Sequence, residues 1–145
     1  MAAARDAPSP ATVHLPYTPS SVRAARRRLA ADLSERGFGL TVIDDAVLVL
    51  SEILSNALMH ARPLDSGKIR VCWDVRGGSL EMEVTDGGGP TRPHQETPTL
   101  SSLGGRGLGI VASLVADWGV RQMNAETTVW AVLPVNGLPA RSVRR

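Results

Sequence analysis

Hydrophobic positions change their spacing several times along this chain, and each change marks an element. Thr12 to Tyr17 (TVHLPY) reads as a short strand, with Pro16 suited only to an edge or a strand end. Thr18-Pro19 reads as an N-cap followed by proline at the first helical position. Val22, Ala25, Leu29 and Leu33 follow at helical spacing up to Gly37, a natural C-terminal stop. A longer helix is predicted from Thr41 to about Ala61, where Ile43, Val47, Leu50, Leu54, Ala57 and Leu58 keep a period of about 3.6 residues. Asp44 and Asp45 are expected in its first turn, where negative charge suits the helix dipole. Pro63 closes it, because the residue before a proline disfavours helix.

The period then drops to two. Lys68 to Val75 (KIRVCWDV) and Leu80 to Thr85 (LEMEVT) alternate around Gly77-Gly78 and predict a hairpin. Asp86-Gly87-Gly88-Gly89-Pro90 ends the second strand abruptly, and Thr91 to Leu103 is a long polar loop of the kind that forms lids or binding segments. A helix is expected from about Gly107 to Asp117, then a second hairpin from Val120 to Met123 and Thr127 to Leu133 around Asn124-Ala125-Glu126. The order is strand, helix, helix, two strands, helix, two strands. It predicts an α+β fold: a two-layer α/β sandwich with a mostly antiparallel mixed sheet and the helices on one face. Residues 1–10 read as a flexible leader, 11–135 as the domain and 136–145 as a flexible basic tail.

Composition narrows the classes. A chain of 145 residues, 43% of them hydrophobic, suits one domain with a sizeable core. The net charge of +2 is too small to argue for nucleic acid, and the arginines at 23, 26, 27 and 28 fall mostly off the apolar stripe of their helix, as a solvated face would. The single cysteine, Cys72, excludes an intrachain disulfide and reads as a small buried hydrophobe on a strand. No stretch reaches the roughly 18 apolar residues of a membrane span, and MAAARDAPSP lacks the apolar core of a signal peptide. A cytoplasmic protein is expected.

Three places hold candidate chemistry. Glu52, Asn56 and His60 are spaced i, i+4, i+8 and lie along one helix face. There an amide oxygen can ligate a hard cation such as Mg²⁺ and a carboxylate can deprotonate a hydroxyl, or the three form only a solvated polar edge. Asp86 closes a strand ahead of three glycines; it suits a hydrogen bond to an amino group on a base, or is only a turn aspartate. Gly104-Gly105-Arg106-Gly107-Leu108-Gly109 precedes a helix, where free N–H groups and the dipole favour a phosphate. The GxxxxGK[ST] loop is absent, and the glycines do not follow a strand as a dinucleotide fingerprint requires.

Taken in this order, the three motifs resemble the GHKL ATPase superfamily, specifically the small anti-sigma-factor serine kinases with a histidine-kinase-like ATPase domain of the Bergerat fold. The resemblance covers roughly Thr12 to Val135. The family's N box, E-x-x-x-N-x-x-x-H, is matched by Glu52, Asn56 and His60, which implies Glu52 as catalytic base and Asn56 as the Mg²⁺ ligand at the ATP site. Asp86 and Gly88 match the first glycine box, D-x-G-x-G, with Asp86 implied at the adenine amino group. Gly105, Gly107 and Gly109, with Arg106 and Leu108 between them, match the second box at the phosphates, and Thr91 to Leu103 corresponds to the ATP lid. Trp118-Gly119 and Thr128-Val129-Trp130 look like the family's closing strands.

One departure stands out: Pro90 replaces the last glycine of the first box, so a stiffer lid hinge is expected. The resemblance implies ATP and Mg²⁺ as cofactors, and a protein serine/threonine kinase that regulates transcription. Its implied partners are a sigma factor and an anti-anti-sigma antagonist, and a homodimer is implied as well. No direct nucleic-acid or membrane contact is expected. The alternative is a non-catalytic ATP-sensing interaction module, which Pro90 and the short lid favour.

Overall fold

The computed structural model describes residues 10–89 and 108–135. Nearly all of the expected leader lies outside the described residues, as do Pro90, the loop Thr91 to Leu103, Gly105, Arg106, Gly107 and the tail 136–145. The elements run β1 (Ala11–Pro16), α1 (Ser20–Glu35), α2 (Leu40–His60), β2 (Lys68–Arg76), β3 (Ser79–Asp86), α3 (Leu108–Leu114), β4 (Asp117–Met123) and β5 (Glu126–Pro134). The five strands form one sheet in the order β1-β2-β3-β5-β4, and every pairing is antiparallel. β1 is an edge strand, which is why Pro16 is tolerated at its end opposite Lys68.

Alternation along the strands sends one face toward the helices. Val13 and Leu15, then Ile69, Val71 and Trp73, Leu80, Met82 and Val84, and Ala131 and Leu133 are all buried there. The cross-strand pairs Val71↔Val84 and Met82↔Ala131 place these side chains in rows. α2 packs over the rows against β3 and β5, with α1 and α3 against it. The expected α+β sandwich with helices on one face is the observed fold, but among the described residues the sheet is wholly antiparallel and not mixed.

α1 ends as Gly37 predicts. Gly37 has φ +93°, its N–H donates to the Ser34 carbonyl at 3.0 Å and that of Phe38 to the Leu33 carbonyl at 3.1 Å, the two bonds of a Schellman stop. Its start differs from expectation. Pro19 adopts helical dihedrals, but the Thr18 hydroxyl meets Ser20 Oγ at 3.0 Å instead of capping the backbone. Buried Ser21, absent from the apolar stripe, bonds the Pro16 carbonyl through its hydroxyl. Arg23, Arg26, Arg27 and Arg28 are exposed, as a solvated face requires.

α2 begins at Leu40, with Gly39 as its N-cap, so Asp44 and Asp45 fall in the second turn instead of the first. The face that packs is also turned slightly. Ala46, Val49 and Ile53 are buried, while Val47 and Leu58 are half-buried. Sequence spacing alone fixes a stripe's period but not its centre. α3 ends at Leu114 rather than Asp117, because the Ala116 N–H donates to the Val132 carbonyl at 2.7 Å and the chain has already joined the sheet. Gly119 sits in β4 under the ring of Trp130, where a Cβ would lie 2.5 Å from Trp130 Cζ2. Cys72 is half-buried on the face away from the helices, with its sulfur 3.3 Å from Thr12 Oγ1, so it is not the core hydrophobe that was expected. The two-residue loops Gly77-Gly78 and Asn124-Ala125 both use positive φ, at +46°, +84° and, for Asn124, +59°, as hairpin turns require.

Candidate functional site

The end of β3 is built around one carboxylate. Val84 and Asp86 share the helix-facing side of the strand, and Asp86 is 3% exposed. Opposite it stands Thr127 on β5, half-buried, whose hydroxyl accepts from Gln122 Nε2 at 3.5 Å. The Gly88 N–H donates to Asp86 Oδ1 at 2.7 Å. Gly88 can do this because it takes φ +93°, and its α-carbon lies so near the Ala125 carbonyl that a Cβ would sit 3.2 Å from that oxygen. Among the described residues no cation pairs with Asp86. Burial therefore dominates and raises its pKa from 3.8 to about 6, against the opposing pull of the Gly88 hydrogen bond.

A second wall comes from the β1–α1 connection. Tyr17 donates its hydroxyl to the Ala57 carbonyl at 2.8 Å. Burial, and next the Asp86 charge, holds its phenol above the ordinary value. Tyr17 thus stands between the carboxylate and α2, one residue along from Asn56. The neighbouring segment closes the corner: the Arg62 N–H donates to the Gly88 carbonyl at 2.9 Å and the Gly87 N–H to the Arg62 carbonyl at 2.8 Å.

The helix face expected to carry chemistry is present. Glu52 and Asn56 are half-buried on the flank of α2 beside Val49 and Ile53, and His60 is exposed in the last turn. The fold brings the C-terminal half of α2 to the Asp86 end of the sheet through Tyr17 and Arg62. Leu108 and Gly109 open α3, which packs against α2. Gly105, Arg106 and Gly107 lie outside the described residues.

The donor set can be tested against the expected Mg²⁺. Among the described residues no three His, Cys, Asp or Glu side chains converge as a metal cage. A single half-buried amide oxygen, with Glu52 one turn earlier, fits a hard cation that keeps its waters and takes its remaining ligands from phosphates. It does not fit a metal held by the protein alone.

Residue spacing alone did not single out Tyr17, Thr127 or the Arg62–Pro63 segment. Thr127 could have been found by pairing the TTVW run with LEMEVT, because antiparallel register sets it opposite Asp86. Tyr17 and Arg62 meet the site through turns, for which residue patterns give no register.

The structure is thus a two-layer α+β sandwich with a buried carboxylate at a strand end, ahead of glycines, and a neighbouring helix that carries Glu52, Asn56 and His60 along one face. The family model for the histidine kinase-like ATPase domain matches residues 15–133, and the chain belongs to that family. It is 30% identical over 118 residues to the serine-protein kinase RsbW of Listeria monocytogenes serotype 4a, covering 73% of this chain and 75% of that one. To the serine-protein kinase RsbW of Bacillus velezensis it is 29% identical over 136 residues, covering 85% and 84%. The chain also superimposes on the crystal structure of the RsbU and RsbW domains of a Mycobacterium tuberculosis protein, with a TM-score of 0.68 at 23% identity over 88% of its own length. It spans 33% of that longer chain, and this likeness supports the fold. Nucleotide use follows at the level of the family. Among the described residues no helix is long and apolar enough to cross a membrane.

Proposed function

We propose that residues 11–135 form an ATP-binding domain that phosphorylates a serine or threonine of a protein antagonist and sequesters a sigma factor. The protein would work in the cytoplasm, as a homodimer. The observation that carries the reading is Asp86, a carboxylate 3% exposed, without a counter-cation among the described residues, at the C-terminal end of β3. A buried acceptor left without a cation favours a ligand that donates to it, and the amino group of adenine is such a donor. The names of the relatives support the kinase part.

Each residue then has a task. Asp86 accepts from adenine, and Gly88 holds the carboxylate in place. The backbone of the Gly105 to Gly109 motif, which includes Arg106 and Leu108, receives the phosphates. Asn56 would hold the Mg²⁺ bound with the nucleotide, which would neutralise triphosphate charge. His60 borders the same face. Glu52 accepts the proton of the partner's hydroxyl as its oxygen bonds the γ-phosphorus, and the bond to the departing ADP oxygen breaks. Such a transfer needs positioning and charge stabilisation more than covalent chemistry from the protein.

Calorimetric titration of ATP, with and without Mg²⁺, into wild type and Asp86→Asn tests the reading. Mg²⁺-dependent binding that the substitution weakens by about 1–3 kcal/mol supports it. A folded wild type that binds no nucleotide refutes it. Pro90, at the hinge of the expected lid, favours a second reading in which ATP switches a protein interface without phosphoryl transfer. A transfer assay with a purified antagonist separates the two.

A further inference from the structure

We infer that Gly87 and the Arg62–Pro63 segment form a backbone strut that fixes the spacing between the base-facing and phosphate-facing halves of the ATP site. Gly87 is then a positioning residue for the reaction. The inference rests on the ATP reading above. Gly87 occupies a variable position of the D-x-G-x-G pattern, so the motif gives it no task. Nor does its backbone require glycine, since its φ is not positive, unlike that of Gly88. What demands glycine is space. A Cβ there would fall on the Pro63 carbonyl oxygen, and within 3.3 Å of the Arg62 carbonyl oxygen.

The close approach lets two backbones join outside the sheet. Gly87 donates to Arg62 and Arg62 donates back to Gly88. One end of this bridge is continuous with the base side, because Asp86 precedes Gly87 and the Gly88 N–H holds the Asp86 carboxylate. The other end is continuous with α2: the Ala61 N–H donates to the Ala57 carbonyl at 3.0 Å, and that carbonyl also takes the Tyr17 hydroxyl. Asn56 lies next to Ala57. Three residues of chain and two hydrogen bonds therefore link the group expected to meet adenine to the helix turn expected to meet the metal. A ligand that bridges both halves gains from the fixed spacing, and one that grips a single half does not.

The experiment is calorimetric titration of ATP, with Mg²⁺ and with a chelator, into wild type, Gly87→Ala and Pro63→Gly. Pro63 is exposed, so its replacement loosens the strut without opening the core, and it decides the matter if Gly87→Ala does not fold. In both variants the gain in ATP affinity produced by Mg²⁺ is expected to shrink about tenfold, the size of a coupling between residues in contact. A purely structural role would lower the melting temperature and leave that gain intact in the folded protein. An unchanged Mg²⁺ gain in variants that still bind ATP overturns the strut alone. A wild type that binds no ATP overturns both the strut and the reading beneath it.

Discussion

Replacing Asp86 by asparagine should stabilise the unliganded protein while removing the carboxylate proposed to accept from adenine. The magnitude follows from the cost of keeping the carboxylate charged where it is 3% exposed. Its pKa rises from 3.8 to about 6. A shift of about two units corresponds to about 3 kcal/mol of preference for the neutral form. That shift is already net of the Gly88 hydrogen bond; part of the gain is returned on substitution because asparagine must also place its amide N–H donors in a buried site. A net gain of about 1–2 kcal/mol at pH 7.5 remains, or about 3–6 °C in melting temperature for a chain of this size.

The sign with pH is fixed by linkage. The folded carboxyl holds its proton more tightly than the unfolded one, so wild-type stability is fullest below the unfolded value near 4. It falls as pH rises to about 6 and changes no further from this group above that. The asparagine variant lacks that fall. The gap between the two proteins should open between about pH 4 and pH 6 and stay constant beyond. Thermal unfolding across pH 4 to 8, without nucleotide, reads it. A variant less stable than wild type at pH 7.5, or a gap that does not move with pH, would show that Asp86 is paid for by a partner and not held in reserve for a ligand.

Three more expectations can be measured on the same material. Glu52→Gln should slow phosphoryl transfer to a purified antagonist by about a hundredfold or more, the usual weight of a general base, with ATP affinity nearly unchanged; transfer at the wild-type rate would remove Glu52 from the chemistry. Gly119→Ala should cost about 1–3 kcal/mol by pushing the Trp130 ring off β4, and ATP binding should survive in the folded protein. Tyr17→Phe should cost about 1 kcal/mol in chemical denaturation through the lost bond to Ala57, whose carbonyl keeps the Ala61 N–H.

The sequence by itself determined the kinds of elements and their order. Period decides type, so the alternation of KIRVCWDV and LEMEVT and the helical spacing from Ile43 to Leu58 could each be satisfied by one structure. It also determined the stops that are local in origin: Gly37 at the end of α1 and Gly77-Gly78 between β2 and β3 need only their own backbone. The motif spacing picked out Glu52, Asn56 and Asp86, and the fold gathers the last half of α2 and the end of β3 into one corner.

Only the tertiary structure decided which flank of α2 is buried, where α3 yields to β4, and which side of the sheet Cys72 takes. Each of these depends on what lies across the layer or the ladder. The Val132 carbonyl that captures Ala116 is sixteen residues further along the chain. Tyr17, Thr127 and the Arg62–Gly87 bridge belong to the same class. Their partners are set by strand register and by the closing of two turns, both long-range properties of the packed chain that no residue spacing encodes.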